Sequence, residues 1–306
     1  MKLALKIDVD TYRGTREGVP RLVETLKKYG AGATFLFSLG PDNTGRAIKR
    51  VFRPGFMKKV SRTSVLEHYG FMTLMYGTVF PAPDIGKRCA AIMREVRDAG
   101  FEVGIHTWDH VLWQDSVATA DAQWTREQMQ KSCDRFEQIF GTRATVHGAA
   151  GWQMNRHAYR LTQQFGFDYC SDTRGTHPFI PLYDAEIVAC PQLPTTLPTL
   201  DELIGVNGLT KESVAAHLLA LTAVPPPTGH VYTLHAELEG QKLMPVFEQL
   251  LQGWQAAGYQ LVSLKDYFEN LDVKMLPRHC VNMGSLEGRS GTLAVQGREF
   301  LAGSAA

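Results

Sequence analysis

The sequence contains few cysteines, and none of them lie in the close pairs that mark a structural metal site. The five are scattered along 306 residues with no CxxC motif: Cys89, Cys133, Cys170, Cys190 and Cys280. An odd number of widely spaced cysteines is typical of a reducing compartment rather than of a disulfide-stabilised secreted domain. We therefore expect a cytoplasmic protein without structural zinc.

Long apolar runs and a strong net charge are also missing. No uncharged apolar run reaches the length of about 18 residues that a membrane-spanning helix requires. Asp8 and Asp10 interrupt the apolar run at the amino end, so we expect no signal peptide. A formal net charge of +1 provides no general attraction to nucleic acid, so we expect no nucleic-acid partner. The sequence does not determine the oligomeric state.

The sequence does contain short β-rich runs that alternate with stretches of helical period, as in βα units around a parallel sheet. The predicted strands are 3–7, 34–37, 101–105, 145–148, 167–170, 187–190, 231–234 and 260–262. The predicted helices are 17–29, 85–99, 125–140, 155–165, 211–221 and 244–257. Such units favour one complete or imperfect (β/α) barrel over 1–275. We expect the tail, 276–306, to be loosely ordered from about Met283, where Gly and Ser are frequent.

Polar residues that follow the predicted strands are candidates for chemistry, because barrel enzymes place their sites at the carboxyl ends of strands. His106 and His110, in HTWDH, follow the third strand and could bind one cation. Asp10, in IDVD, follows the first strand and could add an oxygen ligand. Two imidazoles and one carboxylate leave coordination positions for water and substrate, as a catalytic metal site requires. The alternative to a metal site is that His106 and His110 are core histidines and that Asp10 is a helix N-cap.

Two further residues would turn such a metal site into a hydrolytic one. Asp8 lies two residues before Asp10, so on an extended chain both carboxylates face the same side. One carboxylate can bind the metal while the other takes a proton from water. His235 ends the strand 231–234 and could protonate a departing nitrogen. A buried histidine bonded to the backbone would explain His235 equally well.

These motifs resemble those of the polysaccharide deacetylase (NodB-homology) superfamily of carbohydrate esterases. The resemblance lies in IDVDT near the amino end, HTWDH after the third strand and YTLH after the seventh. It implies a distorted (β/α)7 barrel with Asp8 as general base, His235 as general acid, and Asp10, His106 and His110 as metal ligands. The implied cofactor is a divalent cation, zinc in the first place, although manganese, cobalt and Fe(II) also accept this ligand set.

Further blocks resemble one branch of this superfamily, which acts on 4-deoxy-4-formamido-L-arabinose linked to undecaprenyl phosphate. They are IDVDTYRGTREGVPRL, FLFSLGPDNTGR, AAGW, SDTRG, LPTTLPTLDE and YTLHAELEG. The resemblance implies release of the N-formyl group as formate at the cytoplasmic face of the bacterial inner membrane. It also implies a part in lipid A modification and in resistance to cationic peptides such as polymyxin. The alternatives are an N-deacetylase of another amino-sugar glycan, a non-haem Fe(II) oxygenase and a non-catalytic lipid-sugar binding protein.

The sequence departs from the superfamily where many members carry an arginine that orients the base. Residues 149–152 read Ala-Ala-Gly-Trp and contain no basic side chain. We expect Arg174 or another basic residue to take over this role toward Asp8, with Asp172 as the partner of Arg174.

Several polar and aromatic residues near the strand ends are candidates for binding the substrate. They are Arg13, Arg16, Trp152, Asp172, Arg174 and Glu237. Arg13 and Arg16 could pair with the phosphodiester, or equally with Glu17 or Glu24 on the protein surface. Trp152 could stack on the sugar or serve only in packing.

One segment, 46–80, breaks the βα rhythm. It carries seven basic residues against one acidic residue, with Phe and Met between them. Each basic group near an anionic leaflet contributes about 1 kcal/mol and apolar side chains add burial, so the segment suits a membrane interface. The candidate membrane-binding residues are Arg50, Phe52, Arg53, Phe56, Lys58 and Lys59. A solvent-exposed helix with a basic face is the alternative.

Overall fold

A computed structural model describes residues 1–47 and 71–301 of the chain. Its strands are β1 (Lys2–Val9), β2 (Thr34–Ser38), β3 (Glu102–Thr107), β4 (Val146–His147), β5 (Tyr169–Cys170), β6 (Ile180–Tyr183), β7 (Glu186–Ile187), β8 (His230–His235), β9 (Gln260–Val262), β10 (Arg278–Gly284) and β11 (Leu293–Glu299). Its α-helices are α1 (Val19–Lys28), α2 (Phe71–Met75), α3 (Ile85–Arg88), α4 (Ala90–Asp98), α5 (His110–Ser116), α6 (Ala122–Phe140), α7 (Arg156–Gln164), α8 (Leu200–Leu203), α9 (Val214–Leu221), α10 (Met244–Ala256) and α11 (Leu264–Phe268).

The predicted membrane-binding residues lie outside these described ranges. They are Arg50, Phe52, Arg53, Phe56, Lys58 and Lys59. Within the described ranges, no helix combines the length and the hydropathy that crossing a bilayer would require.

Seven parallel strands form the main sheet in the order β5-β4-β3-β2-β1-β8, and β9 also pairs with β1. Strand β8 runs along residues 3–8 of β1, while β2 pairs with residues 6–9 and β9 with residues 2–4. Because β8 overlaps both of the other pairings, β2 and β9 must share the opposite edge of β1. This curled sheet of βα units confirms the predicted distorted (β/α)7 barrel.

The two outer strands of the sheet, β5 and β8, are connected by the extended segment 191–196. The amide of Leu193 donates to the carbonyl of Cys170 over 2.7 Å, and the amide of Thr196 donates to that of Val231 over 3.0 Å. The segment contains two prolines, which lack the N–H that a continuous ladder needs. It therefore closes this side of the barrel through isolated bridges rather than as an eighth strand.

A second sheet, in the order β11-β10-β6-β7, lies outside the predicted pattern. The expectation of a loosely ordered tail from Met283 is wrong, because β10 and β11 pair with each other and β10 pairs with β6. Val281 and Ala294 are buried in the main core, which holds the tail against the barrel. The strand predicted at 187–190 is also wrong, because the pairing there is β7, which runs antiparallel to β6.

The alternation of residues along β1 separates the main core from the site. Its odd-numbered residues from Leu3 to Val9 belong to the large apolar cluster that the surrounding helices cover. The even-numbered residues Ala4, Lys6 and Asp8 face the other side, into the barrel. Ala4 belongs to a smaller interior cluster with Leu36, Val146, Tyr169, Leu193, Val231, Leu264 and Tyr267. Ala4 and Val231 pair with each other at a level below Asp8, whereas Leu36 lies in register with Asp8, so this cluster extends from beneath the polar residues to beside them.

Candidate active site

The three predicted metal ligands come together at the carboxyl end of the sheet. Asp10 follows β1, His106 lies in β3, and His110 is the first residue of α5. Helix α5 begins at His110 because the Asp109 side chain caps it by accepting the amide of Leu112 over 3.0 Å. The Nε2 atom of His106 lies 3.2 Å from Oδ1 of Asp10, and that of His110 lies 3.4 Å from Oδ2.

The donor set fits a divalent cation. Nδ1 of His106 lies 2.6 Å from the carbonyl oxygen of Gly148, so the hydrogen on Nδ1 bonds to the backbone and the lone pair of Nε2 faces Asp10. Oδ1 of Asp10 is buried without a hydrogen-bond partner in the described part of the chain. Burying such an oxygen is costly unless a cation or a donor compensates it. One ligand atom from each residue lies within 4.8 Å of the others, so one ion can contact all three.

The charges around Asp10 favour its ionised form. Burial raises the pKa of its carboxyl group, but His110 and His106 outweigh that effect and hold the pKa well below its ordinary value. Burial lowers the pKa of His106, but Asp8 and Asp10 reverse that effect and raise it. Asp10 is thus an ionised carboxylate between two imidazoles, and a cation that binds there would displace any proton from the facing ring nitrogens, because only a neutral imidazole is a ligand.

The proposed base and acid are neighbours on adjacent strands. Asp8 of β1 lies in register with His235 of β8, and residues that face each other in parallel strands project from the same side of a sheet. Nδ1 of His235 is buried without a hydrogen-bond partner among the described residues, while its backbone amide donates to Glu239 over 2.9 Å. The fold therefore places Asp8 and His235 together at the barrel mouth and leaves a ring nitrogen of His235 available.

Asp8 is paired with a basic residue other than Arg174, namely Lys6, which was not among the predicted site residues. Nζ of Lys6 lies 3.2 Å from Oδ2 of Asp8, and both side chains are buried. The other oxygen, Oδ1, lies 3.8 Å from Nδ1 of His106 and has no hydrogen-bond partner in the described residues. The signal was present in the sequence, since residues two apart on a strand share a face.

Glu237 supports the loop that carries Asp10. Its Oε1 accepts hydrogen bonds from the amides of Asp10 and Thr11, over 3.1 and 2.9 Å, and from the hydroxyl of Thr11 over 2.8 Å. Gly14 makes this approach possible, because a Cβ there would overlap the Glu237 carboxylate. Burial and the nearby Asp10 raise the pKa of Glu237 well above its ordinary value. The observed contacts of Glu237 are thus structural. Its Oε2 has no hydrogen-bond partner among the residues that the structure describes.

Glu239 holds the turn that follows β8. It accepts the hydroxyl of Tyr232 over 3.2 Å in addition to the amide of His235. Burial raises the pKa of Glu239 to about 7, although the charge of His235 opposes this rise. This closed turn fixes the backbone of the proposed acid.

The expected pair of Asp172 and Arg174 is wrong. Asp172 accepts the amide of Ala149 over 2.8 Å and the side-chain amide of Gln192 over 3.0 Å, and its Oδ1 lies 2.7 Å from Nδ1 of His147. Cys170, His147 and Asp172 form a second group whose ligand atoms lie within 4.8 Å of one another. Because the Asp172 carboxylate already has these donors, the contacts of this group are those of a polar core.

Arg174 is bound elsewhere. Its guanidinium donates to Glu202 over 2.6 Å and to the carbonyl of Leu197 over 2.9 Å. Arg174 therefore does not orient Asp8, and Glu202 neutralises it near the second sheet, where Arg289 also lies 2.8 Å from that carboxylate.

Trp152 lies in the protein interior. Its side chain is 1% exposed, and its indole N–H donates to Thr195 over 3.3 Å. Three cationic groups approach its ring, with Lys6 and Arg174 each 4.9 Å and Arg289 4.4 Å from the ring centroid. The packing interpretation accounts for all of these contacts.

Arg13 and Arg16 lie beside the metal-binding loop, and both contact Glu17. Arg13 donates to this carboxylate over 2.9 Å and Arg16 over 2.6 Å. The two arginines line a cavity of about 260 Å³ that also involves Tyr12, Glu17, Met72, Thr73 and Tyr76. The ion pairs predicted as an alternative are therefore present, and they border a space that a ligand could enter.

Comparison with known sequences points to one family of enzymes. A model of the polysaccharide deacetylase family matches residues 3–170. A relative from Shewanella sediminis is 37% identical over 295 residues, which covers 96% of this chain and 94% of the relative. A second, from Wigglesworthia glossinidia brevipalpis, is 32% identical over 286 residues, with 92% and 98% covered. Each is named a probable 4-deoxy-4-formamido-L-arabinose-phosphoundecaprenol deformylase ArnD.

Solved structures show the same fold at much lower sequence identity. A Mycobacterium smegmatis protein, provisionally classed as a polysaccharide deacetylase, has a TM-score of 0.61 at 16% identity, with 93% of this chain and 94% of that chain covered. The Xyl-CE4 domain of a multidomain xylanase from the hindgut metagenome of Trinervitermes trinervoides has a TM-score of 0.50 at 13% identity, with 87% and 89% covered. At these identities the similarity concerns the fold alone.

Proposed function

Because this chain belongs to the polysaccharide deacetylase family, we propose that it hydrolyses the N-formyl group of 4-deoxy-4-formamido-L-arabinose-phosphoundecaprenol. The products are formate and 4-amino-4-deoxy-L-arabinose-phosphoundecaprenol, which serves lipid A modification and resistance to cationic peptides such as polymyxin. The observation that carries this proposal is the convergence of Asp8, Asp10, His106, His110 and His235 at the ends of parallel strands. The names of the two relatives support the choice of substrate.

The surroundings of each residue determine its proposed role in the reaction. A divalent cation held by Asp10, His106 and His110 would polarise the formyl carbonyl and stabilise the negative charge that develops on its oxygen. Asp8 accepts the proton of the attacking water at Oδ1, the oxygen without a hydrogen-bond partner in the described residues. His235 donates a proton to the sugar nitrogen, so that an amine rather than an amide anion departs.

The first expected result concerns the acyl group. Protein reconstituted with zinc, manganese or cobalt should release formate from the formamido-sugar lipid, and kcat/KM for the acetamido analogue should be lower by about tenfold or more. The added methyl group must find space in the site, and one such group commonly changes specificity by about 10- to 200-fold. Formate and acetate are measured by a coupled enzymatic assay, with chelator-treated protein as the control. Equal or faster release of acetate would support the N-deacetylase alternative, and release of neither product would reject the proposal.

The lipid-linked substrate requires a protein that reaches the membrane surface. We propose that the chain is cytoplasmic and binds the inner membrane peripherally through the basic segment 46–80, with Arg13 and Arg16 beside the phosphodiester. The cavity lined by these two arginines supports this placement, because both arginines come shortly after the metal ligand Asp10 in the sequence.

A second expected result tests this membrane contact. Replacing Arg50, Arg53, Lys58 and Lys59 together by Gln should weaken binding to vesicles that contain anionic lipid by at least about tenfold, since each basic group near an anionic leaflet is worth about 1 kcal/mol. Vesicle sedimentation measures the bound fraction.

The matched control removes four exposed basic residues elsewhere: Arg126, Lys131, Lys211 and Lys274. It should bind vesicles like the wild type, and both variants should cleave a short water-soluble formamido sugar at the wild-type rate. Unchanged vesicle binding by the first variant would show that the basic segment is not the membrane contact.

A further inference from the structure

Lys6 carries a charge in a place where a charge is costly. Its side chain has no solvent exposure, and it lies inside the barrel rather than at the surface. A buried ammonium group needs an anionic partner, because neither water nor the apolar interior compensates its charge. Within residues 1–47 and 71–301, the acceptor found for Nζ is Oδ2 of Asp8, at 3.2 Å.

The sheet places this ammonium group on the interior side of Asp8. Lys6 lies in register with Thr34 of β2 and Thr233 of β8, one level below the layer that contains Asp8 and His235. Ala4 lies one level below Lys6, in register with Val231 of β8, and both residues belong to the interior apolar cluster. Lys6 therefore approaches Asp8 from the closed end of the barrel and leaves the open end to substrate.

The neighbouring loop leaves space for Lys6 and keeps it in one position. A Cβ at Gly148 would lie 2.9 Å from Cε of Lys6 and would also overlap Leu36, so glycine is required for the observed packing. On another side, the Trp152 ring lies 4.9 Å from Nζ, and the bond from its indole N–H to Thr195 fixes that ring. The ammonium group is thus confined between an aromatic ring, the backbone of Gly148 and Asp8.

The ion pair makes the two oxygens of Asp8 different. Oδ2 is held by Lys6, whereas Oδ1 is buried and has no hydrogen-bond partner in the described residues. We propose that Lys6 is the positioning residue for the base: its ammonium group fixes Oδ2 of Asp8 and so aims Oδ1 at the attacking water. This inference rests on the proposed function, in which Asp8 is the base.

The experiment compares the effect of Lys6→Met on kcat in the wild-type protein and in the Asp8→Asn variant, which lacks the proposed base. In otherwise wild-type, metal-reconstituted protein, Lys6→Met should lower kcat by about 100-fold, because a misplaced catalytic group commonly costs about that much. KM for the formamido-sugar lipid should change by less than about threefold, since Lys6 is one layer removed from the substrate. In an Asp8→Asn background, Lys6→Met should lower the residual kcat by less than about threefold, because a residue that acts through Asp8 has nothing left to position.

Metal content and a matched variant separate positioning from general damage. Lys6→Met should keep the wild-type metal content, measured by inductively coupled plasma mass spectrometry. Lys2→Met makes the same substitution on the same strand, at a half-buried lysine that donates to the carbonyl of Asp266, and should keep the wild-type kcat. If Lys6→Met does not fold, Lys6→Gln replaces it, since its amide group still offers the buried Asp8 carboxylate a donor, on a shorter side chain without the charge. It should lower kcat in the wild-type background and leave the residual kcat of Asp8→Asn unchanged.

The Tm values provide a readout that does not depend on activity. Lys6→Met and Asp8→Asn should each lower Tm, and the double variant should lower it by less than the sum, because each single change leaves the other partner unpaired. If the wild type releases no formate, the proposed function fails, and the Tm cycle still tests the pair. The positioning role is overturned if Lys6→Met keeps kcat within about threefold of the wild type, if it lowers kcat equally in both backgrounds, or if the Tm changes are additive.

Discussion

Replacing Asp8 by Asn should lower kcat by about 10²- to 10⁴-fold while the protein keeps its metal, because that range is the usual contribution of a general base. Asparagine preserves the shape of the side chain but cannot accept a proton at the position of Oδ1. Asp8 does not belong to the three residues whose ligand atoms can surround one ion, so the metal should remain bound. Formate release gives kcat, and mass spectrometry gives the metal content.

Two further variants are needed to interpret the result for Asp8→Asn. Asp98→Asn makes the same change at an exposed carboxylate on α4 and should leave both measurements unchanged. His235→Gln should resemble Asp8→Asn, with kcat lowered by about 10²- to 10⁴-fold and metal retained, because it removes the proposed acid and no ligand. Loss of metal in Asp8→Asn would make Asp8 a ligand, and a wild-type kcat would remove it from the mechanism.

Replacing His106 by Ala should abolish both metal binding and turnover. It removes one of three ligands, and the remaining pair, Asp10 and His110, cannot retain an ion that needs at least three protein donors in a catalytic site. Metal content should fall to less than about a tenth of the wild-type value, and kcat should fall by about 10³-fold or more, since the cation supplies several kcal/mol of charge stabilisation.

The control for this variant is His217→Ala, which removes an exposed histidine on α9 and should change neither value. Far-ultraviolet circular dichroism establishes that the His106 variant is folded, because His106 is buried and its removal leaves a cavity. A folded His106→Ala protein with full metal content would show that the ion binds elsewhere. One with full turnover would show that the reaction needs no ligand at this position.

Much of the barrel is predictable because strand burial is a local property of the sequence. A residue pattern that alternates along β1 marks one face for the core and the other for the interior, and this pattern needs no knowledge of distant residues. The same reasoning places Asp8, Asp10 and His106 near strand ends, where a parallel sheet gathers them at one edge. The convergence of these side chains was thus predictable before any coordinates.

Pairings between distant segments were not predictable in this way. The carboxyl-terminal residues looked loosely ordered because they are rich in Gly and Ser, yet β10 and β11 form a sheet with β6. Likewise, the extended segment 191–196 connects β5 and β8, although it lies in none of the predicted strands. In both cases the hydrogen-bond partners lie far away along the chain, so local composition did not reveal them.

The sequence by itself determined the reactive groups, because their spacing along strands and their type limit what they can do. Two carboxylates two residues apart, a histidine pair after one strand and a histidine at the end of another predicted a hydrolytic metal site. Only the tertiary structure decided which basic side chain faces Asp8. Arg174 is engaged by Glu202, and Lys6 is buried against Asp8. The physical reason is that an ion pair depends on distances between side chains, which the fold sets when it brings the Gly148 backbone and the Trp152 ring around β1.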